Sequence, residues 1–448
     1  MKTLIKNGTI IDDGKKFVGN ILISNDLIES VSTDVPQTDD ATVVIDAAGR
    51  LVMPGVIDEH VHFREPGLTH KADFESESRA AVAGGVTSFM DMPNVNPQTT
   101  TNELLDQRIE LAAQKSVANF AFYLGATNNN IDEIRKADTT KVCGIKLFMG
   151  SSTGNMLVNQ TDMLEHVFAE SPCIIVAHCE DEQIIRTNIE RYKALPINEV
   201  DATCHPKIRT AEACLKSTER AVALATKHGA RLHVAHLSTA AELSLFEAKP
   251  LADKLITAET CPHYLFFDES DYKTLGYRIK CNPSIKSAAD RAALTDALTT
   301  GKIDAIGTDH APHLPAEKFG DSYFTSASGM PSIQHSLPAM LDLWKAGKIS
   351  LENVVRKMCN APADIFKIDR RGYLRPGYKA DIVIVDADKP QTVTSANTLY
   401  KCGWSPFEGH TFGSTVTHTF VNGTLVYCNG EFVSDKKGKA LKFVPNQI

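Results

Sequence analysis

The rhythm of hydrophobic and polar positions changes twice along the chain. Over the first fifty residues, short β-like runs (3–11, 20–23, 27–31 and 42–46) are broken by Asn-Gly, Asp-Gly and Asp-Asp turns, which predicts a small antiparallel unit. The last seventy-five residues return to that texture, with an apolar run at 380–386 and two further runs, 415–421 and 424–427, flanking Asn422-Gly423. An Asn-Gly pair between two such runs predicts a hairpin. Residues 1–52 and 373–448 are therefore expected to combine into one composite β-sandwich domain.

Between them, compact apolar runs alternate with helical stretches, the signature of repeated βα units around a parallel sheet. Eight runs stand out, at 56–62, 87–94, 119–125, 142–148, 173–178, 231–236, 255–261 and 303–309. The clearest helix lies at 210–228, where apolar positions recur at i, i+3 and i+4. Eight units are the number of a TIM barrel, so the expected fold class is α/β, a (β/α)8 barrel over residues 53–372.

Such a barrel builds its site at the C-terminal ends of its strands, so polar residues that close the apolar runs become candidates. Run 1 ends in His60-Val61-His62, run 4 contains Lys146, run 5 ends in His178, run 6 in His236 and run 8 in Asp309-His310. Each has a plainer alternative. A lone His-x-His pair is weak evidence, His178 and His236 could be core histidines bonded to carbonyls, Lys146 could extend to the rim, and Asp309 could cap a helix. Residues i and i+2 of a strand share a face, however, and five strands deliver a metal-type ligand to one rim, so a shared metal centre is the better account of the histidines, while Lys146 by itself reads as a rim lysine or a partner for a substrate anion. Arg64 and Asn94, just past strands 1 and 2, form a sensible clamp for a substrate carboxylate. Neither Gly84-Gly85 nor the segment 150–154 has a phosphate-loop pattern, and the latter is expected to act as a lid.

Composition narrows the partners. The 448 residues are 43% hydrophobic and 23% charged, with a formal net charge of −8, which argues against a polyanion-binding surface and against a disordered chain. No apolar run is long enough to span a bilayer, and the ten cysteines lack any CxxC pair, so neither nucleic acid nor membrane is expected as a partner and a cytoplasmic location is.

These elements together resemble the amidohydrolase superfamily and, within it, the dihydroorotase family, which closes carbamoyl-aspartate to dihydroorotate in pyrimidine synthesis. The resemblance covers nearly the whole chain. It is carried by Pro54-Gly55-Val56-Ile57-Asp58-Glu59-His60-Val61-His62-Phe63-Arg64-Glu65-Pro66-Gly67, Met92-Pro93-Asn94, Gly144-Ile145-Lys146-Leu147-Phe148, Ala177-His178-Cys179-Glu180, Asp309-His310-Ala311-Pro312-His313 and Trp404-Ser405-Pro406-Phe407-Glu408-Gly409.

The resemblance implies two Zn2+ ions bridged by a hydroxide and by Lys146 in its carboxylated form. His60, His62, Lys146 and Asp309 would hold one ion, and Lys146, His178 and His236 the other, with Asp309 as catalytic acid and base. Arg64, Asn94, Asn282 and His313 match substrate-binding positions, and Gly329 lies in a loop offering backbone contacts. A small-molecule substrate follows, carbamoyl-aspartate or dihydroorotate, and a homodimer or an association with aspartate transcarbamoylase is compatible with the family. Allantoinases and dihydropyrimidinases or hydantoinases share the metal ligands. The Arg64-Glu65-Pro66-Gly67 and Met92-Pro93-Asn94 elements favour the dihydroorotase pattern over theirs. A non-catalytic scaffold is the remaining alternative, and filled ligand positions argue against it.

Overall fold

The computed structural model describes residues 2–150 and 156–445; beyond Gly150, the segment expected to act as a lid lies outside them. Strands β1 (Lys2–Asp12), β2 (Lys15–Ser24), β3 (Leu27–Ser32), β4 (Val43–Asp46) and β5 (Leu51–Pro54) open the chain. Then come β6 (Val56–Val61), β7 (Val86–Asp91), β8 (Asn119–Gly125), β9 (Val142–Phe148), β10 (Ile175–His178), β11 (Leu232–Val234), β12 (Ile256–Thr260) and β13 (Ala305–Ile306). The chain closes with β14 (Ile382–Asp386), the ribbon of β15 (Gln391–Thr392) and β16 (Thr411–Phe412), and β17 (Thr415–Val421), β18 (Thr424–Cys428) and β19 (Glu431–Phe432).

The two ends of the chain form one nine-stranded sheet in the order β19-β18-β17-β14-β5-β1-β2-β3, with β4 beside β1. The seam is β5, parallel to β1 on one side and antiparallel to β14 on the other. Side chains alternate along β14 as a strand demands. Ile382 and Ile384 pack with Ile5, Ile21 and Val52 in a core of the sheet's own, whereas Val383 and Val385 join the large core shared with the barrel. The β17–β18 hairpin turns on Asn422 and Gly423, both at positive φ (48° and 74°), as a two-residue hairpin turn of that type requires.

Strands β6 to β13 form a parallel sheet in sequential order. It closes into a (β/α)8 barrel through a bridge between Val61 and His310 and a bond from His62 N to His310 O (2.7 Å). The Asp58 carboxylate reinforces the seam by accepting from Thr308 N (3.0 Å) and Thr308 Oγ1 (2.6 Å). Its burial outweighs these bonds and pushes it up to about 7. The eighth strand is shorter than the apolar run 303–309 predicts. Past Ile306 the chain turns to meet Asp58, and Asp309 sits at φ 47°, which no strand accommodates. The long helix runs Ala211–His228, capped by Thr210 and by Gly229 at φ 64°, as its periodicity predicts. Within the barrel Ile174 and Val176 of the fifth run face the lumen and Ile175 and Ala177 face the helices, so the parity of β10 carries His178 to the inner side.

Candidate metal centre and substrate pocket

His60 lies on β6, Lys146 on β9 and His178 at the end of β10, while His62, His236 and Asp309 follow one to three residues past the ends of β6, β11 and β13. All six converge on one cavity of about 30 Å³ at the C-terminal mouth of the barrel, together with Arg64, Asn282 and Gly329. Three of these residues, Arg64 (φ 68°), His236 (φ 44°) and Asp309 (φ 47°), adopt left-handed backbone that costs a non-glycine residue about 1–3 kcal/mol. Strain of that kind is retained where the surrounding fold over-determines it.

The donors fall into two groups. The Nε2 atoms of His60 and His62 lie 3.3 and 3.1 Å from Asp309 Oδ1, and one ligand atom from each of the three falls within 4.8 Å of the others. Across the cavity His178 Nδ1 meets His236 Nε2 at 2.8 Å. Lys146 lines the same cavity, fully buried, with no hydrogen-bond partner for its Nζ among the described residues. An orphaned amine there is costly unless something absent from the polypeptide completes it. Burial pushes this lysine down to about 8, despite the carboxylates of Glu259 and Asp309, so a sizeable neutral fraction exists near physiological pH.

Each imidazole is oriented from behind. Glu259 receives His60 Nδ1 and the backbone N–H of His236 (3.2 Å). Asn94 Oδ1 lies 2.8 Å from His62 Nδ1. Glu180, held by Arg209, takes His178 Nε2 at 3.0 Å, which leaves Nδ1 as the lone-pair nitrogen facing the cavity. His236 Nδ1 has no hydrogen-bond partner among the described residues. Burial alone would push His60 down, but Glu259 and Asp309 carry it up to about 9. Burial lowers His62 to about 4 and also lowers His178 and His236. Burial alone would raise Asp309; His60 and His62 hold it well below the usual carboxylate range. The result is an ionised carboxylate beside three neutral imidazoles, the protonation state divalent ions require, while His60, held protonated by Glu259 and Asp309, would release its proton when an ion binds.

Of the other expected site residues, Asn282 and Gly329 line the cavity, and Asn282 Oδ1 is buried without a hydrogen-bond partner among the described residues. Asn94 and His313 stand one layer back, Asn94 against His62 and His313 Nε2 3.2 Å from Arg64 Nη2. Asp309 caps no helix, since the next helical residues are Pro315–Lys318. Nothing in the sequence marked a role for Glu259 or Arg209, and Asp58, which counted there in favour of a metal at His60 and His62, instead pairs with Thr308 at the barrel seam. Glu180 sits in a quoted motif, so a carboxylate two residues after a strand-end histidine was its only visible signal. His263, buried beside Tyr264 with neither ring nitrogen bonded, also escaped assignment.

Comparison with known proteins agrees with this geometry. The sequence matches the Amidohydrolase family over residues 51–426, and the chain belongs to that family. A dihydroorotase of Halobacterium salinarum is 34% identical over 97% of this chain and 98% of its own length. One of Methanosphaera stadtmanae is 31% identical over 94% and 96%. Among solved structures, an L-hydantoinase (dihydropyrimidinase) from Arthrobacter aurescens superposes with a TM-score of 0.92 at 29% identity, covering 98% of this chain and 99% of that one.

Proposed function

We propose that the protein is a metal-dependent hydrolase of a cyclic amide that carries a carboxylate, interconverting dihydroorotate and carbamoyl-aspartate. The observation that carries this reading is the state of Arg64. It is 2% exposed and opens on the cavity, yet among the described residues it bonds only neutral groups, the carbonyl of Pro312 (3.2 Å) and the His313 ring. Arg108, Arg209 and Arg371, the other strongly buried arginines, pair with Asp91, Glu180 and Asp381. A buried guanidinium without an anion is costly, and a substrate carboxylate would complete it.

His60, His62, Lys146 and Asp309 would hold one ion and Lys146, His178 and His236 the other. The orphaned Lys146 Nζ fits a carbamate made by adding CO2 to its neutral amine, and imidazole with carboxylate suits zinc. Two such ions, when bound, acidify a water and polarise an amide oxygen. Arg64 binds the carboxylate, Asn282 and Gly329 hold the ring, and Asp309, kept ionised by its histidines, accepts the proton of the attacking water and delivers it to the ring nitrogen. In the synthetic direction it returns that proton. Residues 53–372 would act as the catalytic barrel and 1–52 with 373–448 as its β unit, with β5 carrying that unit's sheet on to Pro54 through its pairing with β14.

The likeness to the L-hydantoinase favours a second reading, a hydrolase of uncharged cyclic ureides. A panel of dihydroorotate, allantoin, dihydrouracil and hydantoin on one sample loaded with zinc and bicarbonate separates the two. Preference for dihydroorotate supports the proposal; turnover of the uncharged rings alone overturns it.

A further inference from the structure

Two buried lysines near the cavity make no ion pair among the described residues. Lys318 is fully buried, and its Nζ donates to the carbonyl oxygens of Gly329 (2.5 Å), Lys280 (2.6 Å) and Ala327 (3.2 Å). An ammonium has three N–H donors, so its capacity is filled. Lys280, 4% exposed, donates from Nζ to the carbonyls of Tyr323 and Ser326, both at 2.6 Å. The backbone closes the circuit, because Gly329 N donates to Lys280 O at 2.9 Å.

The two side chains thus stitch the loop 317–329 to the segment 280–282 by hydrogen bonds to main-chain carbonyls, and Lys280 Nζ also lies 4.1 Å from the centre of the Tyr323 ring. Both stitched segments end in the cavity wall, one at Asn282 and the other at Ser328 and Gly329. Gly329 has no side chain to anchor it. Its φ is 132°, and a Cβ there would stand 2.7 Å from the Ala311 carbonyl, so its place in the wall depends on its backbone bonds. A methionine would fill the volume of Lys318 without a buried charge, but it would leave three buried carbonyls short of a donor.

We propose that Lys318 is a positioning residue for substrate binding, one that presets the wall formed by Asn282 and Gly329 against the ring amide, with Lys280 holding the outer half of the same loop. The inference rests on the cyclic-amide reading of the site.

The test compares wild type, Lys318→Met and Lys280→Met as metal-loaded proteins. Kinetics are read on whichever ring of the panel the wild type turns over best, and hydrogen exchange is followed over 318–330 and over the barrel strands. Lys318→Met should raise KM about tenfold or more while kcat stays within about threefold, the signature of lost ground-state positioning. Metal content and strand protection should hold while exchange over 318–330 rises. Lys280→Met should loosen 320–326 with a smaller rise in KM. An unchanged KM with a loosened loop, or loss of kcat and metal at constant KM, overturns the proposal, as does collapse of strand protection in both variants. If the wild type prefers an uncharged ring, the dihydroorotate reading falls while the clamp is still judged on that ring. If the wild type turns over no ring, both fall.

Discussion

Lys146 shows how a single side chain's environment dictates its chemistry. Its Nζ is buried, without a hydrogen-bond partner among the described residues, and pushed down to about 8. Raising the pH through about 8 increases the neutral amine, so at fixed dissolved CO2 the carbamate formed on metal-free protein should increase with pH over that interval, read by 13C NMR with labelled bicarbonate. Carbamate formation that falls with pH would contradict this assignment. Lys146→Ala should lose activity and recover part of it with short carboxylic acids in the medium, because a free carboxylate fits the vacated bridge. Lys146→Arg should show no recovery, since its bulk and fixed charge fill the site. That His60 and His62 share one face was legible in the sequence because strand alternation is local, whereas Lys146 entered as a ligand candidate only through the family resemblance. Glu259 and Arg209 were not, because their partners lie 199 and 29 residues away and only the folded barrel brings them together. The left-handed backbone at Arg64, His236 and Asp309 was equally hidden, since Arg carries no such preference and the general enrichment of His and Asp at positive φ marks no particular position.

At the scale of elements, the hydrophobic pattern placed the barrel strands well where they are long and poorly where they are short. The eighth run covers seven residues, but β13 keeps only Ala305 and Ile306, because pairing with Asp58 and the bridge to Val61 draw the chain out of the ladder. That closure is a tertiary event and leaves no trace in apolar periodicity. The β17–β18 hairpin, by contrast, was fully announced by Asn422-Gly423. Its glycine carries a second duty, since a Cβ at Gly423 would fall 1.9 Å from the carbonyl of Asn25 in the β2–β3 turn. Gly423→Ala should therefore cost about 2 to 4 kcal/mol through left-handed strain and backbone displacement. Urea unfolding reads the loss, and the folded fraction should keep its kcat because the hairpin is remote from the cavity.

For the molecule as a whole, buried neutral histidines make stability depend on pH. Burial lowers His335 to about 3; its Nδ1 accepts from Tyr400 and Ser405 hydroxyls at 3.1 Å. A histidine whose folded pKa is depressed gives stability that is present above the unfolded value of 6.5 and is lost as pH falls toward the folded one. Between pH 7 and pH 5 this residue alone should contribute about 2 kcal/mol of destabilisation. Denaturant midpoints of metal-free wild type and His335→Asn at both pH values measure it. The variant should show the shallower fall, and equal slopes would place the titration elsewhere. At this scale too, no helix among the described residues is long and apolar enough to cross a membrane.

Whether the pocket reads a carboxylate through Arg64 decides between dihydroorotate and an uncharged ring as the substrate. The direct measurement is kcat/KM of wild type and Arg64→Met for dihydroorotate and for dihydrouracil, with metal content determined on the same samples. Dihydroorotate turnover should fall by the equivalent of about 2 to 4 kcal/mol, the scale of losing a charged partner in a dry site. Residual activity on dihydrouracil, which has no carboxylate to lose, should change by less than about threefold, and both metal ions should remain. Equal losses on the two substrates, or loss of metal from Arg64→Met, would show that Arg64 supports the site rather than reading the substrate.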